Sequence, residues 1–344
     1  MKRTTDLSML HGVAVITWAL RAETPLCIKS GTISAYKDKQ VNFGTKLRDK
    51  DKEKDKNSES TVSDFYFDAA FNDAASPLPE AVFRIPASSV RGALRNYTIR
   101  RLIPKDMQNA ALFEKVDDEE QRNATMEKQK NRLKKALNEP GWRLIQNLFG
   151  FAADVGDEDD VTVSKEDRLE NETVAGRLQV ICDDVIMKVV DLDLEKKDCP
   201  IYVVPRSPLD RVTRGTKEHG LHNFMELKPG YEFKVLFRLL NPTPEDLGFF
   251  TFWEKSVNQG LIRLGGLSGV GKGRLKVMNA DVRLYTRSPK DFQLPENDSP
   301  ESDHSMAADV LSTVMPEHVI PWQEKKNAYL EKLVRHFDEL KRRN

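Results

Sequence analysis

Two separated segments of the sequence carry residue types that bind phosphate groups. Residues 85–95 place Ser88 and Ser89 at the start of a predicted basic helix, and residues 265–274 form a glycine-rich loop that ends in basic residues. Serine hydroxyls can cap the first amides of a helix, and a helix N-terminus attracts anions. The two segments therefore predict a protein that grips the sugar–phosphate backbone of a nucleic acid.

The glycine-rich loop differs from the phosphate-binding loop of nucleotide hydrolases. Gly266 to Lys272 fits the spacing G-x-x-x-x-G-K, but Gly273 follows where a magnesium-binding Ser or Thr is required. Such a loop should also follow a strand and open a helix. Here a predicted helix at 244–259 precedes the loop, and the strand-like run 274–277 follows it. The sequence argues against ATP or GTP hydrolysis.

The charge balance shows that any nucleic-acid surface must come from local clustering of cations. The 344-residue chain has 54 basic and 54 acidic residues, so its net charge is zero. No apolar run approaches the roughly 20 residues that span a bilayer. The N-terminal residues lack the apolar stretch of a secretory signal. We therefore expect a cytoplasmic protein with no membrane partner.

The three cysteines give little indication of a metal or disulfide site. Cys27, Cys182 and Cys199 are widely separated and form no C-x-x-C pair, which argues against structural zinc. We predict that they are small buried side chains in a reducing compartment.

Hydrophobic periodicity predicts a mixed α+β fold. Strands are predicted at 13–20, 177–186, 201–204, 231–240 and 274–285, and helices at 88–102 and 244–259. The order strand, helix, strands, strand, helix, strand matches a ferredoxin-like (RRM-like) βαββαβ core. The open sheet of this scaffold is commonly used to hold single-stranded RNA.

The other segments are predicted to elaborate one domain that spans residues 1–287. They are a flexible charged insertion at about 36–63, a helical insertion at about 105–151 and a long basic connection at about 206–226, followed by a linker at 288–320 and a C-terminal helix at 321–344. The C-terminal helix has an apolar stripe at helical spacing, formed by Trp322, Tyr329, Leu333, Phe337 and Leu340. We expect this stripe to pack on its own domain.

Five short motifs follow one another in a fixed order along the chain. Residues 24–31 are T-P-L-C-I-K-S-G, residues 85–95 are I-P-A-S-S-V-R-G-A-L-R, and residues 148–150 are L-F-G. Residues 209–215, L-D-R-V-T-R-G, precede the glycine-rich loop. This set resembles the motifs of the repeat-associated mysterious protein (RAMP) superfamily, with Ala87 in place of the family's usual glycine. Specifically, it resembles the backbone subunit of type III, or type III-derived, CRISPR effector complexes.

The resemblance implies a subunit that forms a filament with further copies of itself or related subunits along a CRISPR guide RNA. A thumb-like β-hairpin at 206–226 would splay base pairs of the guide–target duplex at regular intervals. The implied partners are the guide RNA, complementary target RNA and other type III effector subunits. The side chains and backbone expected to contact RNA are Lys29, Ser30, Ser88, Ser89, Arg91, Arg95, Arg211, Arg214, Lys217, Gly269, Lys272 and Arg274.

The resemblance also implies a catalytic aspartate on the loop before residues 85–95. Asp68, with Asp73 second, matches that pattern with a spacing one residue shorter. A carboxylate there could hold Mg²⁺ or another divalent cation, or accept the proton of a hydroxyl group. The alternative is a loop aspartate that merely caps a turn.

Three functions remain open from the sequence. The first is an endoribonuclease subunit that cuts target RNA with Asp68, for antiviral defence. The second is a binding-only structural subunit that builds the same filament while another protein cuts. The third is an endonuclease that processes guide precursors, which usually requires a His or Tyr/Lys arrangement for acid–base chemistry that does not stand out here.

Overall fold

A computed structural model of the chain describes residues 10–37, 39–43, 60–70, 80–103, 140–150, 175–182, 184–206, 222–292 and 315–342. The strands in these ranges are β1 (Gly12–Ala22), β2 (Lys29–Lys37), β3 (Gln40–Asn42), β4 (Ser60–Phe65), β5 (Phe67–Ala70), β6 (Glu80–Arg84), β7 (Leu178–Ile181), β8 (Val185–Lys188), β9 (Ile201–Arg206), β10 (His222–Leu227), β11 (Glu232–Leu240), β12 (Leu275–Thr286) and β13 (Glu317–Val319). The α-helices are α1 (Ala87–Leu102), α2 (Pro140–Phe149), α3 (Pro244–Asn258) and α4 (Trp322–Arg342).

The central sheet has the strand order β13-β12-β1-β11-β7, and all of its neighbouring strands are antiparallel. Along β1, Ile16, Trp18 and Leu20 are buried while the residues between them are partly exposed. Because successive side chains of a strand point to opposite faces, one face of β1 lies against the core. The Trp18 ring meets the ring of Phe237 from β11 edge-on, with centroids 4.9 Å apart.

Helices α1 and α3 are held side by side by buried polar contacts. The indole N–H of Trp253 in α3 donates to the hydroxyl oxygen of Thr98 in α1 at 2.8 Å. A capping box at Thr243 and Asp246 starts α3, as the side chain of each accepts a hydrogen bond from the backbone of the other. The Asp246 carboxylate also accepts two hydrogen bonds from the guanidinium of Arg177, at 2.8 and 3.0 Å. This bidentate pair fixes the start of β7 to the N-terminus of α3.

Helix α2 is part of the hydrophobic core, as its apolar sequence indicates. It lies in the expected helical insertion at 105–151, whose residues 105–139 lie outside the described residues. In α2, Trp142, Ile145, Leu148 and Phe149 are buried in the same apolar cluster as the central sheet. Four apolar side chains on one side of a short helix bury enough surface to hold it against the core.

Helix α4 packs on α3, which confirms the packing expected for the C-terminal apolar stripe. Trp322, Tyr329 and Leu333 are buried, and Phe337 and Leu340 are partly buried against the core. A Cβ atom at Gly248 of α3 would lie 2.4 Å from the carbonyl oxygen of Tyr329, so the two helices approach closely.

A second sheet has the order β3-β2-β4-β10-β9, and a third has the order β5-β6-β8. In the second sheet β4 and β10 are parallel, and the other neighbours are antiparallel. Strand β3 and the start of β4 lie within the limits of the expected flexible insertion at 36–63, whose residues 44–59 lie outside the described residues. Strands β9 and β10 pair at the base of the expected thumb, and residues 207–221 lie outside the described residues.

Most of the other sequence expectations that the described residues can test are confirmed. Strands β1 and β11, and helices α3 and α4, lie within a few residues of their predicted limits. The expected linker at 288–320 contains a 3-10 turn at 289–292 and strand β13. Cys27, Cys182 and Cys199 are buried free thiols. No helix in the described part of the chain is both long and apolar enough to cross a bilayer.

Candidate nucleic-acid interface

The glycine-rich loop is anchored by its backbone on the first motif, residues 24–31. The N–H of Gly266 donates to the carbonyl oxygen of Cys27 at 2.7 Å, and that of Gly273 donates to Pro25 at 2.9 Å. The N–H of Arg274 donates to the side-chain oxygen of Thr24 at 2.9 Å. These two segments, far apart in the sequence, thus form one structural unit.

Two glycines of the loop are required by its geometry. Gly265 and Gly273 have φ angles of +81° and +80°. A Cβ atom at Gly265 would lie 2.5 Å from the carbonyl oxygen of Cys27, and one at Gly273 would lie 2.2 Å from that of Leu264. By contrast, Gly269 has open space where its Cβ would be, so the backbone there can be approached closely.

Replacing Gly273 with alanine is expected to lower the free energy of unfolding by about 2–4 kcal/mol, because left-handed strain adds to a clash with backbone that cannot move aside. Gly271 provides a matched control, since it has φ +90° but open space around its Cβ position. Gly271→Ala should therefore lose only about 1 kcal/mol. Urea denaturation of the two variants measures the difference, and equal losses would contradict the role of the clash.

Lys272 does not present a free charge to the solvent. Its ammonium is paired with both carboxylate oxygens of Glu226 on β10, and the two side chains are 13% and 0% exposed. The expectation that Lys272 grips a phosphate is thereby revised, because its charge is already balanced inside the protein. The pair instead joins the glycine-rich loop to the second sheet.

The surroundings of this ion pair keep the thiol of Cys27 neutral. Burial raises the pKa of Cys27, and the neighbouring Glu226 raises it further. Lys29, Lys272 and Arg206 act in the opposite direction, which places three cations and one carboxylate around the thiol. The cluster has an excess of positive charge.

Helix α1 begins two residues earlier than a cap at Ser88 requires. Its N-cap is Pro86, with φ −69° and ψ 133°, and no side chain caps the helix. The predicted capping by Ser88 and Ser89 is therefore wrong, because both residues lie within the first helical turn. Ser88 is exposed and Ser89 partly exposed. The first turn contains no acidic residue, so nothing in it opposes an anion at this helix N-terminus.

Two arginines one turn apart on α1 have different environments. The Arg91 guanidinium donates to the carbonyl oxygen of Phe149 and lies 5.6 Å from the centroid of that ring, so it ties α1 to the end of α2. Burial lowers the pKa of Arg95, and the adjacent Arg91 lowers it further. Among the described residues no carboxylate pairs with Arg95. A partly buried cation beside another cation is suited to an anionic ligand.

A cleft of about 580 Å³ separates the exposed side of α1 from the glycine-rich loop. None of the described residues that line it is acidic. Its polar lining consists of Ser89, Asn96, Arg100, Arg263, Ser268 and Gly269. Arg263 is held in place because it donates to the carbonyl oxygens of Gly260 and Ser268, at 3.2 and 2.6 Å. The cleft therefore combines fixed cations with open backbone, as a phosphate-binding groove requires.

The structure describes only some of the other residues that are expected to contact RNA. Lys29 is exposed and lies over the ring of Phe224, 4.6 Å from its centroid, and the Ser30 hydroxyl lies 2.6 Å from that of Thr32. Arg274 is exposed and lies 3.9 Å from the carboxylate of Glu23. Arg211, Arg214 and Lys217 lie outside the described residues.

Asp68 lies in a strand rather than in the expected loop. It is an exposed residue of β5 and is paired with Val82 of β6. Asp73 lies outside the described residues. In the described part of the chain no three His, Cys, Asp or Glu side chains come close enough to hold a metal ion. The described residues thus provide one candidate carboxylate but no group of side chains that could hold a metal ion. Binding of a divalent cation stays a prediction.

Several residues of the site were missed from the sequence. Arg263 lies two residues before Gly265, and it could have been included as the upstream flank of the loop. Asn96 and Arg100 follow Ser89 at helical spacing, and this periodicity could have placed all three on one side of α1. Glu226 carries no sequence signal that could have linked it to Lys272.

Comparisons with known proteins agree with the motifs. A family model described as the RAMP superfamily matches residues 19–276. No curated protein matches the chain. Among solved structures, a chain of a Type IV-B CRISPR complex is 19% identical, and the alignment covers 79% of this chain and 90% of that chain with a TM-score of 0.40. Because the family model covers well over half of the sequence, the chain belongs to the RAMP superfamily.

Proposed function

We propose that this chain is a backbone subunit of a CRISPR effector complex, of type III or derived from it, that holds guide RNA by its sugar–phosphate backbone. One observation carries the proposal. Residues 85–95 and 265–274 are distant in sequence but line one cleft, and residues 24–31 anchor the backbone of the glycine-rich loop. That cleft is lined by arginines and open backbone, with no acid among its described residues.

The strand order of the central sheet supports a ferredoxin-like (RRM-like) core. In chain order the elements β1, α1, β7, β11, α3 and β12 give the sequence βαββαβ. In the sheet these four strands lie in the order β12-β1-β11-β7, so the first strand is flanked by the third and the last. Scaffolds of this kind bind single-stranded RNA and do not recognise base edges in the groove of a duplex.

The proposed grip on RNA uses three kinds of group. The free N–H groups at the start of α1 and the backbone of the loop at Gly269 offer neutral donors. Arg100 and Arg263 supply positive charge in the cleft, and Arg95 supplies a further positive charge on α1, beside Arg91 and outside the cleft lining. These contacts are made to phosphates, so they favour binding of any RNA sequence.

Neutralising Arg95 should weaken RNA binding regardless of sequence. With the full chain and two unrelated single-stranded RNAs, we expect Arg95→Gln to lower affinity about tenfold, as expected for one charge-assisted contact. The slope of log affinity against log salt should become shallower by about 0.7, the value for one phosphate contact on a single strand. Fluorescence anisotropy over a salt series measures both quantities.

The matched control for this experiment is Arg335→Gln on α4. Arg335 is an exposed arginine paired with Glu331 at 3.5 Å, so its loss removes the same charge from a helix that does not line the cleft. We expect affinity and salt slope to stay at the wild-type values. An Arg95 effect confined to one RNA sequence, or matched by the Arg335 variant, would contradict binding of the RNA backbone by α1.

We infer further that the subunit cuts target RNA at regular intervals, with Asp68 as the catalytic carboxylate. Asp68 is exposed and lies next to β6, the strand that leads into α1. This exposure favours a catalytic role for Asp68 over a purely structural one. The alternative is a binding-only subunit with the same guide contacts. In either case the proposed partners are guide RNA, complementary target RNA, further copies of the chain and other effector subunits in the cytoplasm, with 206–226 as the thumb.

A further inference from the structure

One surface of the second sheet carries aromatic and basic side chains. In the β9–β10 pair, His222 lies opposite Arg206, Phe224 opposite Val204, and Glu226 opposite Tyr202. Residues directly opposite on antiparallel strands share a face, and so do residues two apart along a strand. These six side chains therefore form one surface, called here the outer face.

At its His222 and Phe224 end the outer face is directed away from the hydrophobic core, whereas Glu226 at its other end is fully buried in the ion pair with Lys272. The residues between those of the outer face, among them Val203 and Met225, belong to the core or pack against it. In the described part of the chain, Phe224, Val204 and Tyr202 are not among the side chains that pack on the core. A sheet with one apolar inner face and one aromatic, polar outer face normally uses the outer face for water or for a ligand.

The charges of the outer face favour an anion. Lys29 lies over the Phe224 ring at 4.6 Å, and Arg206 and His222 lie next to it on β9 and β10. The one carboxylate of the face, Glu226, is balanced by its ion pair with Lys272. Aromatic rings interleaved with cations are the usual surface for single-stranded nucleic acid, because bases stack and phosphates pair with the cations.

The outer face is continuous with the proposed guide-RNA cleft. The glycine-rich loop contacts the outer face through Lys272, while Gly269 of the same loop lines the cleft beside α1. Lys29 belongs to the segment, residues 24–31, on which the loop is anchored. A strand that leaves the cleft across this loop therefore arrives at the outer face.

We propose that the outer face is a second nucleic-acid site, which holds an unpaired nucleotide with its base on the Phe224 ring and its phosphate on Lys29. This inference rests on the proposed RNA-binding function and names a further part of the site. The Lys29 ammonium occupies the ring face that a base would use. A phosphate draws the ammonium away, since a flexible lysine side chain exchanges a weak contact with the ring for a stronger one with the anion. A nucleotide thus supplies partners for both groups at once.

The test compares a single-stranded RNA with an abasic ribose–phosphate strand of the same length, using the full chain. We expect Phe224→Leu to weaken binding of the RNA about 5- to 100-fold, the effect of losing one stacked base, and to leave the abasic strand unaffected. Phe224→Trp should restore the preference for the strand with bases. Lys29→Gln, at an exposed side chain, should weaken both strands and flatten the salt dependence.

The chain offers a matched control in α4, where Lys341 lies over the ring of Phe337 at 4.4 Å. Phe337→Leu should leave both strands bound as in the wild type, and thermal unfolding verifies that each variant is folded. Unchanged RNA binding by Phe224→Leu and Lys29→Gln, or equal loss for both strands in Phe224→Leu, would overturn the proposal. If Arg95→Gln still weakens the binding of both strands in that case, the proposed guide-binding function stands. If the wild type binds neither strand, the guide-binding function itself is contradicted.

Discussion

Replacing Lys272 with methionine is expected to lower the free energy of unfolding by about 3–5 kcal/mol, the usual loss when one partner of a buried ion pair is removed. The Glu226 carboxylate is fully buried, and Lys272 supplies its counter-charge. Without Lys272 the protein must either bury an uncompensated negative charge or release the glycine-rich loop from β10. Urea denaturation at neutral pH measures the loss.

A double-mutant cycle distinguishes the stability lost with the ion pair from the stability lost with the Lys272 side chain itself. When both partners of a buried pair become apolar, most of the stability should return, because no charge is left without a partner. We therefore expect Lys272→Met with Glu226→Met to unfold at a higher urea concentration than Lys272→Met alone. Losses that simply add would show that the two charges are not coupled.

The ion pair explains why the role of Lys272 was mistaken from sequence. A lysine in a glycine-rich loop indicates phosphate binding as long as its partners are unknown. Glu226 lies 46 residues earlier in a strand and has no motif of its own. Pairing between such distant residues is a product of sheet topology, so local sequence cannot indicate it. The anchoring of the same loop on residues 24–31 was equally invisible.

The parts of the fold that the sequence predicts well have strong hydrophobic periodicity. Strand β1 is a nearly continuous apolar run and β11 largely alternates polar and apolar residues, while α3 begins with the Thr-Pro-Glu-Asp pattern of a capped helix. The second sheet was largely missed, because β2 and β4 are rich in Ser and Thr and adjoin a charged run. The pairing of β4 with β10 joins residues that are far apart in the sequence, and periodicity carries no information about such contacts.

The sequence indicated which segments belong to the candidate site, but not what each residue does there. The basic helix, the 24–31 motif and the glycine-rich loop do converge, which the spacing of motifs suggested. The prediction that Ser88 and Ser89 cap α1 was wrong, because Pro86 is the extended N-cap residue from which the helix starts. Arg91 was expected to hold RNA, yet its guanidinium already contacts Phe149. Such roles depend on neighbours that only the folded chain defines.

Replacing Asp68 with asparagine is expected to slow cleavage of target RNA at least about 100-fold, the effect of losing an acid–base group, while guide binding is unchanged. The reason is geometric as well as chemical. Asp68 is paired with Val82, and β6 leads from Val82 to Pro86 at the start of α1. This places Asp68 on the strand that neighbours β6, the strand after which α1 begins. Asparagine keeps the shape and removes the proton acceptor.

The measurement uses the complex assembled with guide RNA, magnesium and a labelled complementary target, with Asp338→Asn as the control. Asp338 is an exposed carboxylate of α4, which packs on α3 rather than on the β5–β6 pair, so its loss should leave the cutting rate unchanged. Regularly spaced cutting that persists in Asp68→Asn would remove Asp68 from the mechanism and leave Asp73 as the next carboxylate to replace. A wild type that binds the target but never cuts it would make the chain a structural subunit, because the same guide contacts serve a filament whose cleavage is done by another protein.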